Sequence, residues 1–196
     1  MKIGMFGGCF NPPTIAHFKL AKEAIKKFNL DKVFFVPVGN KYNKKDLIDE
    51  KHRYNMLKIM CEKDKNLDVS DIEMNREYKL YAIDVFTMLT NKYKNDELYF
   101  IMGADNVKEL DTWKESNLLM QNFKFIILER GDESVEDIII ENKNLQKYRA
   151  KFNILKNQEI IDCSSTKVRE KIEKHEIVNL VKQEVYKYII NNNLYL

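Results

Sequence analysis

Apolar positions along the chain change period repeatedly, and the alternation sets out an order of elements. Residues 2–6, KIGMF, form a short run of the kind buried in a strand. After a loop rich in glycine and proline, Ile15, Phe18, Leu20, Ala21, Ala24, Ile25 and Phe28 recur at helical spacing. KVFFVPV at 32–38 is apolar throughout, as expected of a strand covered on both faces, and Pro37 marks its end. A helical stripe follows over 50–63, with LDVSDIEM at 67–74 as a third strand. YAIDVFTMLTNKY at 81–93 is again helical, whereas ELYFIMG at 97–103 and FKFIILERG at 123–131 read as buried strands. From 135 to 161 the text is acidic and amphipathic without a clear period. NQEIID at 157–162 resembles a strand leading into CSSTKVREKIEK, and the stretch from Leu180 to Ile190 is helical.

Strands without alternation, each followed by a helix, predict an α/β fold. The expected form is a doubly wound, Rossmann-like parallel sheet with helices on both faces. In such sheets ligands bind beyond the carboxyl ends of the strands, which directs attention to the loops after residues 6, 38, 103 and 130. No repeat or Ser/Gly linker interrupts the pattern, so residues 1–196 are expected to be one domain.

Composition narrows this picture by exclusion. A hydrophobic share of 44% with 32% charged residues is globular rather than disordered. Thirty-three basic against thirty acidic residues leave a net charge of +3, too small to argue for nucleic acid or a membrane surface. Nor does the chain interleave aromatic and basic residues in the manner of RNA-binding modules. Three distant cysteines, Cys9, Cys61 and Cys163, suggest neither a disulfide framework nor a zinc site, and point to the reducing cytoplasm. No leader and no membrane span are expected, because no apolar run approaches ~20 residues.

Candidate chemistry gathers in two places. In GGCFNPPTIAH, residues 7–17, Gly7 and Gly8 would let backbone amides approach a ligand, and the next helix presents its positive end. Neither GxGxxG nor GxxxxGK[ST] is present, so neither the dinucleotide fingerprint nor the P-loop applies. Thr14 and His17, three residues apart at a helix start, share a face from which a hydroxyl and an imidazolium would donate to phosphate oxygens. Alternatively Thr14 caps the helix and His17 is a half-buried side chain. The second place is SSTKVR, residues 164–169, where Ser164, Ser165 and Thr166 precede Arg169 by about one turn. Hydroxyls, free amides and a guanidinium fork suit anionic oxygens, although an N-cap with a surface arginine has the same text. Together the two helix starts suggest a polyphosphate.

GGCFNPPTIAH resembles the (H/T)xGH loop of the nucleotidyltransferase superfamily, and SSTKVR is similar to its ISSTxxR signature. Within that superfamily the chain resembles the nicotinate/nicotinamide mononucleotide adenylyltransferases. VPVG at 36–39, ELYFIMGAD at 97–105 and LDTW at 110–113 match in family order. The resemblance implies transfer of AMP from ATP to a pyridine mononucleotide, with Mg²⁺ accompanying the ATP, in NAD biosynthesis. It implies that Thr14, His17 and Arg169 act on the phosphates with Ser164, Ser165 and Thr166, and that Gly7, Gly8 and Phe10 shape the loop. Gly103 and Asp105 would lie by the ATP ribose, Trp113 would stack on the pyridine ring, and Lys44 would meet the mononucleotide phosphate. No protein residue is expected to bind the metal directly.

Three departures bear on these expectations. Ala16 replaces the glycine of HxGH and adds a methyl where the nucleotide is expected to come close. The segment GNKYNKKDLI at 39–48 is closer to a eukaryotic-type YKKKGL segment, in which Lys41 and Lys45 read as solvated. Ala82 stands where nicotinate-preferring bacterial enzymes usually carry the threonine of Tyr-Thr-Ile-Asp. Nicotinate mononucleotide is the expected acceptor, with nicotinamide mononucleotide as the alternative. Pantetheine-phosphate adenylyltransferases and cytidylyltransferases share the opening loop but not the GAD…W segment, and a non-catalytic nucleotide-binding regulator is the reading from another class. Residues 132–160 read as a surface helix or a subunit interface, the latter making a homo-oligomer.

Overall fold

The structure is a computed structural model that describes residues 1–129, 134–156, 163–174, 176 and 179–196. Six strands form one parallel sheet: β1 (Lys2–Gly8), β2 (Lys32–Pro37), β3 (Leu67–Val69), β4 (Glu97–Gly103), β5 (Lys124–Glu129) and β6 (Phe152–Lys156), in the order β3-β2-β1-β4-β5-β6. The order reverses between β1 and β4, which pair directly, with Phe6 opposite Ile101. Beyond the carboxyl ends of these two strands the sheet opens a crevice.

Helices α1 (Ile15–Phe28), α2 (Glu50–Cys61), α8 (Ser165–Glu173) and α9 (Gln183–Asn191) cover one face. The other face carries α3 (Ala82–Lys92), α4 (Ala104–Glu109), α5 (Ser116–Asn122), α6 (Val135–Glu141) and α7 (Lys143–Lys147). The apolar runs follow from this layering. In β5, Ile126 and Leu128 enter the first core while Phe125 and Ile127 enter the second, so polar side chains are confined to its two ends, Lys124 and Glu129. Each such side chain contributes roughly 1.5–3 kcal/mol on burial.

The doubly wound sheet with both faces covered bears out the expected fold class. Strand β4 has the predicted bounds, while α3 and α9 fall within a residue or a few of theirs. The third strand is shorter than 67–74, because Ser70 and Ile72 already belong to a turn. The unreadable stretch holds two short helices, α6 and α7, and then β6 at 152–156. The expected strand at 157–162 lies outside the described residues.

Candidate active site

A cavity of about 650 Å³ lies over the crevice, and its walls come from separate parts of the chain. Gly7, Gly8, Phe10 and His17 come from the opening loop and α1, Lys44 and Lys45 from the segment after β2, Trp113 from beyond β4, and Ser165, Thr166 and Arg169 from α8. Thus the fold brings the two candidate helix starts to one cavity across some 150 residues of sequence.

The start of α1 is held by a reciprocal cap. Thr14 at the N-cap accepts from the His17 backbone N–H at 3.4 Å, while His17 Nδ1 accepts from the Thr14 backbone N–H at 3.0 Å. The pattern is a capping box with histidine in the place usually taken by glutamate or glutamine. With Nδ1 occupied as an acceptor, the proton of the neutral ring sits on Nε2, so His17 serves as an Nε2–H donor. The ring is wedged edge-on against Phe10, with centroids 5.1 Å apart.

Thr14 is 1% exposed and does not line the cavity, so its hydroxyl positions His17 instead of facing phosphate. This corrects the direct phosphate role expected for Thr14. Ala16 is likewise buried, and its methyl packs away from the cavity rather than obstructing it. Phe10 takes a left-handed backbone, φ 47°, which brings its ring over Gly8. A Cβ on Gly8 would lie only 3.0–3.3 Å from that ring, so glycine here serves aromatic packing as well as access to the cavity.

At α8, Ser164 is the N-cap and accepts from the Lys167 backbone N–H at 3.2 Å, outside the cavity lining. Ser165 Oγ donates to the Pro12 carbonyl at 2.8 Å, and Arg169 Nη1 donates to the Asn11 carbonyl at 2.8 Å. The second helix start is thereby tied to the first loop. Nη2 of Arg169 lies 3.4 Å from Thr166 Oγ1, so this side chain reaches the cavity with part of its fork engaged by protein.

Gly103 caps α4, and the exposed Asp105 sits in that helix's first turn; neither lines the cavity, although the next residue, Asn106, does. Trp113 follows a 3₁₀ turn and faces the cavity near Phe100, with centroids 6.4 Å apart.

Several lining residues were not found by reading the sequence. Lys79 Nζ lies 5.0 Å from the Tyr81 ring centre and 5.5 Å from that of Tyr42, and Lys114 Nζ lies 4.7 Å from that of Tyr81. Lys114 also faces Asp84 at 3.8 Å. These lysines join Lys44 and Lys45 at the cavity, beside Ala82. Lys114 adjoins Trp113 in sequence, which offered a signal; Lys79, in a polar stretch, offered none. Glu73 also lines the cavity, and burial pushes its carboxyl up to about 7 despite the hydrogen bond from the Gly39 backbone.

Behind the lining, Glu50 is buried and accepts from the backbone N–H groups of Asn40 at 2.6 Å and Asn75 at 2.7 Å. Arg53 is fully buried; it donates through Nε to the Ile48 carbonyl and through Nη1 to the Cys9 carbonyl. These buried charges anchor the segment between β2 and α2 at both ends.

A parallel sheet in the 3-2-1-4-5-6 order, with its cavity at the order reversal and hydroxyls and cations from two helix starts, defines a nucleotide-handling α/β protein. The chain belongs to the cytidylyltransferase-like family, whose sequence model matches residues 5–171. Within that class it is 34% identical to a probable nicotinate-nucleotide adenylyltransferase of Clostridium novyi, over 99% of this chain and 98% of that protein. Identity to the protein of the same description from Carboxydothermus hydrogenoformans is 38%, with the same coverage. Among solved structures, the fold matches Plasmodium falciparum nicotinic acid mononucleotide adenylyltransferase complexed with NaAD. The TM-score is 0.81 at 24% identity, over 99% of this chain and 97% of that one. Among the described residues no helix is long and apolar enough to cross a membrane.

Proposed function

We propose that this protein transfers AMP from ATP to the phosphate of nicotinate mononucleotide, giving deamido-NAD and pyrophosphate. The observation that carries the reading is one cavity that gathers a guanidinium and hydroxyls from the two helix starts with four lysines from other segments. His17, Ser165, Thr166 and Arg169 come from the starts of α1 and α8, and Lys44, Lys45, Lys79 and Lys114 from the segments after β2, before α3 and after α4.

In the reaction an acceptor phosphate oxygen forms a bond to the α-phosphorus, and the bond from that phosphorus to the oxygen bridging to the β-phosphate breaks. The acceptor is already anionic at neutral pH, so no general base is required. Catalysis then consists of holding the two phosphates in line and stabilising charge on the leaving pyrophosphate. His17 Nε2–H and Arg169 do the latter, with Ser165 and Thr166 at the triphosphate; Thr14 and Ser164 hold the two helix starts in place.

Mg²⁺ travels with ATP in this scheme. The phosphate-facing groups are cations and hydroxyls, a donor set that suits phosphate oxygens rather than a metal, so the triphosphate supplies the metal's ligands. When bound, the ion neutralises part of the triphosphate charge.

Trp113 offers a face for the pyridine ring. Lys79 and Lys114, held over Tyr81, supply cationic groups that would favour a carboxylate over a carboxamide, a role that Ala82, lacking a hydroxyl, cannot take. Pyrophosphate release from Mg-ATP tests the reading directly, with nicotinate and nicotinamide mononucleotides assayed in parallel on purified protein. Faster turnover with nicotinate mononucleotide is expected. A folded protein that binds ATP and turns over neither acceptor would overturn the assignment, and a preference for the amide would reverse the choice of acceptor.

A further inference from the structure

Asn11 stands at a junction that the reaction scheme does not use. The residue is 6% exposed, and both polar atoms of its side chain are engaged. Nδ2 donates to the Asp46 carbonyl at 2.8 Å, and Oδ1 accepts from the Tyr195 hydroxyl at 2.9 Å and, at 3.4 Å, from the Ile48 backbone N–H. Its own carbonyl accepts from Arg169 Nη1. One residue therefore touches the opening loop, the segment that carries Lys44 and Lys45, helix α8, and a tyrosine 184 positions away.

Tyr195 is placed to direct this junction. It follows α9, itself packed on α2, and its side chain lies in the fields of Arg53 and Arg169. Burial pushes its phenol above the ordinary value, so the hydroxyl retains a proton to donate at neutral pH. That donation holds the Asn11 amide with Oδ1 toward Tyr195 and Nδ2 toward Asp46, one residue from Lys45 and two from Lys44. On the other side, Arg53 secures the same segment at Ile48 and the opening loop at Cys9. Its Nη2 finds no hydrogen-bond partner among the described residues, so Arg53 holds the segment through Nε and Nη1 alone.

We propose that Tyr195 is a positioning residue for the acceptor: acting through Asn11, it sets the segment bearing Lys44 and Lys45 against the opening loop. The inference rests on the proposed acceptor reaction. The side chain of Asn11 reaches the acceptor segment, whereas Arg169 is held by the Asn11 backbone, so loss of the Tyr195 hydroxyl is felt mainly at the acceptor.

The test is a double-mutant cycle of Tyr195→Phe and Asn11→Ala, with KM measured separately for nicotinate mononucleotide and for Mg-ATP. Tyr195→Phe keeps the buried ring and removes one hydrogen bond; the expected result is an acceptor KM raised about five- to tenfold with the ATP KM unchanged. Adding it to Asn11→Ala should produce little further rise, because both changes break one path. If Asn11→Ala does not fold, Asn11→Ser completes the cycle. An unchanged acceptor KM in Tyr195→Phe, an equal rise in both KM values, or additivity in the cycle would each overturn the proposal. Wild-type protein assayed alongside separates this outcome from failure of the function itself: no wild-type turnover removes the reaction, whereas normal wild-type turnover with an insensitive Tyr195→Phe removes only the role of Tyr195.

Discussion

Replacing His17 in two ways separates its structural task from its chemical one. In the fold its Nδ1 accepts the Thr14 backbone N–H at 3.0 Å and its ring packs edge-on against Phe10. His17→Ala removes both contacts and leaves a part-buried N–H without a partner, which should cost about 2 kcal/mol of stability. His17→Glu restores the usual capping box, since a carboxylate at the third helical position reaches back to the Thr14 N–H and lies favourably at the positive helix end. Its stability should therefore lie about 1 kcal/mol above that of the alanine variant, losing mainly the ring contact.

Activity should order the other way. Alanine removes one donor to the phosphates and should lower kcat by about 10²–10³-fold. Glutamate removes the same donor and sets a negative charge against the triphosphate, so its kcat should fall further. Urea unfolding followed by tryptophan fluorescence, together with pyrophosphate release at saturating substrates, measures both quantities. Wild-type kcat in His17→Ala would refute the phosphate role, and a glutamate variant no more stable than alanine would refute the capping account.

Three further changes probe the surroundings. A Cβ at position 39 would fall well inside contact distance of the Glu73 carbonyl, so Gly39→Ala must displace the start of the acceptor segment; it should cost about 1–3 kcal/mol and raise the acceptor KM, with a wild-type urea midpoint as the contrary result. Ala16→Gly, which restores the family's glycine, should lose about 1–2 kcal/mol through helix propensity and the buried methyl while leaving the ATP KM unchanged, and a lowered ATP KM would show that the methyl does reach the nucleotide. Glu73 has its carboxyl at about 7 in the fold against 4.5 for an ordinary glutamate, so the folded state holds the proton more tightly and stability should decline as pH rises from about 4.5 through 7, then level off. Glu73→Gln should remove that slope and exceed wild type by about 1–3 kcal/mol at pH 8; parallel pH profiles of the two proteins would contradict the buried-carboxyl account.

The amino-acid sequence by itself determined the layering of the fold. A strand buried on both faces has no polar positions, so KVFFVPV and ELYFIMG were legible as central strands without knowledge of their neighbours. The same local physics exposed the two loop-to-helix starts, because glycines, prolines and hydroxyls act on the backbone within one turn. Short elements escaped for the converse reason. Helices of five and seven residues complete too few turns to show a period, which hid α6 and α7 and, beside them, the short strand at 152–156.

Which face of a helix start meets a ligand was decided only in three dimensions. Thr14 and His17 share a spacing, yet the cap draws the Thr14 hydroxyl inward and leaves the ring at the cavity. Ala16 stands one position from His17 but lies in the core. Lys114 reaches Tyr81, and Asn11 meets Tyr195, through contacts between residues distant along the chain, which no local pattern encodes. Backbone preference acts over a few residues, whereas a binding cavity depends on where the sheet delivers its loops, and that is set by the packing of the whole chain.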